Sequence, residues 1–321
     1  MMNFFKRGLL LAALLPFALH AQIDDALIGD DDRSALRAAV SDTAIWKIGG
    51  TFGLNFNQSQ FVNWAAGGQD AVSTTAVTSL FAIYTSKRSH WETTLDLAYG
   101  LLSQDGNPFI KTDDRIDLLS KYGYRLNNKK FYLSALLNFR TQFAPGFEVQ
   151  DGVNVGASRS DFLAPAFSIA SIGIDYLPNE KFSAYLAPVA SKTTIVNIDR
   201  LATSFGLDEG ENFRFEFGAF ARMQFREDIF ENVNLLTRVD LFSNYLENTE
   251  KVDVNWETLI TFKVNSWLST TLTTQLIYDD DIKFGGQEAV IVDGEVVTPA
   301  VEGTARTQFR QIFALGLSFK F

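Results

Sequence analysis

The chain has 321 residues, 46% of them hydrophobic, a net charge of −10 and no cysteine. The acidic balance excludes nucleic acid, which needs a basic footprint, and the lack of cysteine excludes disulfides and thiolate metal sites. Composition alone would fit a water-soluble protein, but the order of the residues points elsewhere.

Lys6 and Arg7 precede the apolar run GLLLAALLPFAL (8–19), too short to span a bilayer, and Ala21 offers a small residue for cleavage. Residues 1–21 read as a secretory signal peptide; a buried N-terminal helix is the alternative. No cysteine follows, which excludes a lipoprotein anchor. Residues 22–44 carry Asp24, Asp25, Asp30, Asp31, Asp32 and Asp42 around RSALRAAV. They read as an acidic periplasmic lead-in, with an inserted plug as the alternative. No later apolar run approaches the roughly 20 residues of a membrane helix.

From residue 45 to 321 the pattern has a period of two, the mark of strands. IWKIGGTFGLNFN (45–57) puts Trp46, Ile48, Phe52, Leu54 and Phe56 on one face, against Lys47, Thr51, Asn55 and Asn57. HWETTLDLAYGLL (90–102) opposes Trp91, Leu95, Leu97 and Tyr99 to Glu92, Thr94 and Asp96. RIDLLSKYGYRL (115–126) sets Ile116, Leu118, Tyr122 and Tyr124 against Arg115, Asp117, Lys121 and Arg125. FYLSALLNFRTQF (131–143) opposes Leu133, Leu137 and Phe139 to Ser134, Asn138 and Arg140. FRFEFGAFARMQF (213–225) sets Phe213, Phe215 and Phe217 against Arg214, Glu216 and Arg222. VNLLTRVDLFSNY (233–245) and VDVNWETLITFKV (252–264) place Arg238, Asp240, Asp253 and Glu257 on the polar rows. Residues 74–85, 165–177 and 182–190 are apolar on both faces in places, yet turn residues bracket them, so they too read as strands. With 268–279 and 311–321 the count is about twelve, even as in bacterial barrels.

The connections alternate in length. Residues 86–89, 127–130, 178–181, 227–232 and 265–266 are short; 58–73, 144–164, 191–212 and 280–305 are long. A membrane barrel sorts its connections into short periplasmic turns and long extracellular loops, and a soluble sandwich has no reason to. Trp46, Tyr84, Trp91, Tyr124, Phe131, Tyr176, Phe225 and Trp267 fall near the short turns, and Tyr99, Phe143, Phe213, Tyr245, Tyr278 and Phe309 near the other strand ends. Two aromatic belts mark two membrane–water interfaces. The apolar rows then face outer-membrane lipid. The charged row turns inward, because each charge would cost about 2–4 kcal/mol against lipid at the midplane. Its candidate interior members are Glu92, Asp96, Asp117, Arg140, Glu216, Arg222, Arg238, Asp240, Glu257 and Arg310.

No catalytic, cofactor or metal site is expected. His20 falls in the signal segment and His90 lies beside a short turn, which leaves no histidine for an outward-side hydrolase. YDDDI (278–282) lacks the spaced ligands and glycine of a calcium loop and reads as a solvated loop base.

GLSFKF (316–321) resembles the C-terminal signal that outer-membrane barrels present to their insertion machinery; Gly316, Phe319 and Phe321 match it, while Ala314 stands where a polar residue is usual. A wider resemblance is carried by NFNQSQFVNWAAGGQDAVS (55–73), LDLAYGLL (95–102), KTDDRIDLLSKYGY (111–124) and LLNFRTQFAPGF (136–147). It continues in SDFLAPA (160–166), DLFSNYLEN (240–248), DVNWE (253–257) and LIYDDDI (276–282). These are similar to motifs of Bacteroidota proteins grouped as domain of unknown function 3078. The resemblance implies an outer-membrane-type barrel and brings no activity with it. The expectation is an all-β, antiparallel up-and-down barrel in the cell outer membrane, most simply a narrow polar pore for small solutes. A sealed barrel acting through its loops is the alternative, and an outer-membrane hydrolase comes third.

Overall fold

The structure, a computed structural model, describes residues 46–60, 69–179, 181–265, 267–285, 290–292, 295–298 and 303–320. The signal segment, the acidic lead-in and Phe321 lie outside the described residues, as does the Trp64–Gly68 part of the first long connection.

A strand with one apolar and one polar row must bury one of them, and a closed sheet does so without leaving an edge. Twelve strands close here: β1 (Trp46–Ser59), β2 (Ala71–Thr85), β3 (Ser89–Gln104), β4 (Ile110–Arg125), β5 (Phe131–Thr141), β6 (Ala166–Tyr176), β7 (Phe182–Ile195), β8 (Phe213–Phe230), β9 (Val233–Asn244), β10 (Asp253–Lys263), β11 (Leu268–Tyr278) and β12 (Gln308–Lys320). Each pairs antiparallel with its neighbours in the chain, and β12 returns to β1 with Phe319 opposite Phe52 and Gly316 opposite Asn55.

The apolar rows point outward. Ile48 is 81% exposed, Leu186 62% and Phe313 69%, on three different strands. An exposed apolar band of this extent belongs against lipid. Register aligns Trp46, Tyr84, Trp91 and Tyr122 side by side on β1 to β4 at the turn end. The rings of Trp46 and Tyr84 lie 5.2 Å apart and those of Trp46 and Trp91 5.9 Å, an interfacial girdle.

The connections keep their alternation, with two differences from the sequence reading. Residues 227–230 are strand, since β8 runs to Phe230 and bulges between Asp228 and Phe230, leaving only Glu231 and Asn232 as the turn. The loops also carry structure of their own. Gly146–Gln150 pairs with Val153–Ser160 as a hairpin, and Ala164, Val196, Leu201, Ala202, Phe205 and Leu207 form a small apolar core at the loop end.

β7 explains why one segment read poorly as a strand. Pro188 and Val189 form a bulge seen from both neighbours: Ile172 faces Val189 while Ile174 faces Leu186, and Gly218 faces Ala190 while Phe220 faces Ala187. A bulge is where proline is tolerated inside a sheet. It also brings backbones close, so a Cβ on Gly173 would collide with the Leu186 carbonyl oxygen. Beyond the bulge β7 continues to Ile195, five residues past the sequence expectation of 190.

Candidate functional site: the charged interior

The inward rows gather acids and bases in three levels. At the turn end, Lys121 on β4 donates to Asp175 on β6 at 2.5 Å. Glu92 lies opposite Lys121 in register, with His90 Nε2 3.8 Å from its carboxylate. His90 Nδ1 meets the Thr85 hydroxyl at 3.2 Å across the tight turn, which fixes the hairpin end.

At mid-height, Arg222 donates through Nε and Nη2 to both oxygens of Asp240, each at 2.6 Å. Arg238 donates through Nη2 to Glu257 Oε2 one strand pair further round. Arg140 Nε stands 2.9 Å from Asp117 Oδ2, an ionic contact, while Asn138 donates to Asp117 Oδ1 at 2.6 Å. The Ser79 hydroxyl donates to Asp96. Arg310 donates to Gln275 at 3.0 Å, and Gln275 to Asn255 at 3.0 Å. Arg222 with Asp240, Arg238 with Glu257 and Arg140 with Asp117 are each opposite one another in register. Those pairs therefore lie along the wall.

At the loop end one contact crosses the barrel. Lys192 on β7 reaches Asp253 on β10 at 2.6 Å and Asp279, just past β11, at 2.8 Å, with Glu216 at 3.8 Å and Asp281 at 3.9 Å. Arg214 joins them, bonding Glu216 at 2.9 Å and Asp281 at 2.6 Å. The YDDDI segment is thus clasped into the barrel mouth, and its carboxylates are ion-paired where a solvated loop base was expected. Oxygens of Glu216, Asp253 and Asp281 lie within 4.8 Å of one another, a spacing that would suit a cation, but the Lys192 ammonium already sits among them. Burial alone would raise the Asp279 carboxyl; the neighbouring ammonium outweighs it and holds the group below its usual range. Its share of stability is present above the unfolded value and is lost as pH falls through the depressed one.

All ten charged residues singled out in the sequence thus face the interior, at these levels. Lys192, the most connected of the interior bases, was not among them, nor were Asp279 and Asp281. Continuing the inward parity of β7 through Ala190 to Lys192 and Thr194 would have found it. Apolar side chains share the interior as well: Leu136, Tyr185, Phe220 and Phe242 pack with Ala187 and Ala190. Two cavities flank that cluster. One of about 470 Å³ opens at the turn end and is lined by Arg222, Tyr185 and Leu136. The other, about 110 Å³, lies towards the loops and is lined by Asp240, Phe220 and Phe242. One ion pair, Arg222 with Asp240, therefore has a member in each cavity and stands with the apolar cluster at the narrow level that separates them, the neck. Gly316 is buried in the wall and Phe319 takes its place in the closing register; Phe321 is outside the described residues.

A closed sheet with an apolar exterior and a charged interior defines a membrane-spanning β-barrel of the outer-membrane type. Residues 56–147 match the family described as Protein of unknown function (DUF3078). That stretch takes in β2 to β5 and with them Glu92, Asp96, Asp117 and Arg140; the related motifs from residue 160 onward lie beyond it. Among curated proteins none matches the sequence. Solved structures similar to the chain include an outer membrane channel from Pseudomonas putida F1, at 13% identity over 88% of this chain and 97% of that one, TM-score 0.38. The translocator domain of the autotransporter NalP from Neisseria meningitidis is similar at 10% identity over 91% and 95%, TM-score 0.36. The NanC porin is similar at 8% identity over 85% and 100%, TM-score 0.35.

Proposed function

We propose that this chain is a non-enzymatic outer-membrane barrel whose narrow polar interior passes small solutes and is shut at mid-height in the present conformation. The observation that carries the reading is the pair of cavities on either side of Arg222 and Asp240. The ion pairs at mid-height run along the wall between register neighbours, and a barrel of about twelve strands is intermediate between one filled by its own side chains and one holding a channel. The short turns face the periplasm and the long loops the exterior. The sealed-barrel reading is favoured by Lys192, whose reach from β7 to β10 ties the mouth across.

Planar-bilayer recording on the refolded protein separates the two. The parent is expected to pass a small current, and the neutralised neck Arg222→Gln/Asp240→Asn a larger one. Silence from both proteins would sink the pore and leave the loops as the working part.

We further propose that Gly316, Phe319 and Phe321 form the signal read by the barrel-insertion machinery. Phe321→Lys should reduce insertion in cells while leaving refolding into detergent unchanged. Wild-type levels of the variant in the outer membrane would remove that role.

A further inference from the structure

The turn-end cavity has a chemistry that conduction does not require. Of its lining side chains eight are Lys or Arg and two, Glu92 and Asp175, are acidic. Lys121 is matched by Asp175, Arg222 by Asp240, Arg238 by Glu257 and Lys181 by Glu227. The rim is different. Arg88 donates to the Tyr124 hydroxyl at 3.4 Å and Arg125 to the Lys87 backbone carbonyl; among the described residues no carboxylate meets either guanidinium. Deeper in the same cavity the Ser134 hydroxyl is 1% exposed and has no hydrogen-bond partner. A polar group buried and unmatched in this way is costly unless something supplies the missing bond.

We infer that this cavity is a carboxylate-binding site, with Arg88 and Arg125 gripping the anion at the rim and Ser134 donating from within. The guanidinium fork matches a carboxylate in two parallel bonds, and a volume of about 470 Å³ is that of a pocket for a small organic molecule. Two sources of the same chemistry are at hand. One is a free polycarboxylate in solution. The other is this chain's own sequence Asp30, Asp31 and Asp32, tethered through residues 33–45 to Trp46 at the turn end, a linkage that would offer its carboxylates to the rim at high effective concentration. The inference is independent of conduction, since a sealed barrel would bind at the same place.

The test is calorimetric titration of citrate into the full mature chain, refolded in neutral detergent at low salt. Citrate should bind the parent or, where the chain's own aspartates hold the site, the variant Asp30→Asn/Asp31→Asn/Asp32→Asn. Binding equal in the two assigns the site to a free solute; binding at least tenfold tighter in the aspartate variant assigns it to the chain itself. Adding Arg88→Gln/Arg125→Gln should weaken whichever binding is seen at least tenfold, and Ser134→Ala should weaken it less. Both changes should leave the gel mobility of the unboiled barrel unaltered. Absence of citrate binding in both backgrounds overturns the inference, as does binding indifferent to Arg88 and Arg125.

Discussion

Arg222→Ala is expected to cost the barrel about 3–5 kcal/mol, among the largest losses from any single interior change. Arg222 and Asp240 are each 8% exposed and joined by two hydrogen bonds of 2.6 Å. The guanidinium also lies 5.6 Å from the Phe220 ring, so truncation removes packing together with charge. What remains is a buried carboxylate beside Phe220 and Phe242 that has lost both of its arginine hydrogen bonds and keeps only the more distant charges of Arg238 and Arg140. Replacing both partners, as Arg222→Gln/Asp240→Asn, removes the stranded charge and should cost less than Arg222→Ala alone. Unfolding in urea, followed by tryptophan fluorescence of refolded protein, supplies the cycle of single and double variants. A loss below about 1 kcal/mol for Arg222→Ala would mean that the pair is solvated and the neck already wet. The dry neck would then have to be abandoned, whatever the bilayer recordings show.

How far the sequence revealed this arrangement depends on the strand. β1, β3 and β4 alternate so cleanly that outward Phe52 or Leu97 and inward Asp96 or Asp117 follow from position alone. Such strands form because one row suits lipid and the other suits water or an ion pair, and a shift by one residue would exchange them. β7 resisted because its bulge resets the alternation at Pro188, so Lys192 fell into what read as a loop. The interior apolar residues were hidden for a different reason. Phe220 sits between Gly218 and Arg222 on an inward row, but the rule of polar inside and apolar outside gives it no reason to be there. Only the space opposite Tyr185, 6.2 Å away ring to ring, accounts for it. The ion pairs themselves were partly legible. Asp117 and Arg140 had to lie on the same surface, but their meeting depends on the β4–β5 register, which a turn of several residues does not fix from sequence.

Lys192→Met is expected to turn the clasp at the loop mouth into a calcium site. In the parent a single ammonium answers Asp253 and Asp279 directly and Glu216 and Asp281 at longer range, and it is 7% exposed. Methionine keeps most of the stem and deletes the charge, so packing changes little while four carboxylates are left to Arg214. Without divalent ions the variant should lose about 3–5 kcal/mol, by the same reasoning that applies to any buried pair cut on one side. Calcium takes oxygen ligands at about 2.3–2.6 Å, so two ligands on opposite sides of it stand roughly 5 Å apart. Oxygens of Glu216, Asp253 and Asp281 already lie within 4.8 Å of one another. Millimolar calcium should therefore restore much of the lost thermal stability in the variant and do almost nothing for the parent, whose cation position is filled. Thermal unfolding with calcium and with chelator measures both effects. Equal stabilisation of parent and variant would show that the ammonium does not occupy the centre of the cluster. A variant as stable as the parent in chelator would show that the four carboxylates are held apart by water, and that the contact from β7 to β10 closes nothing.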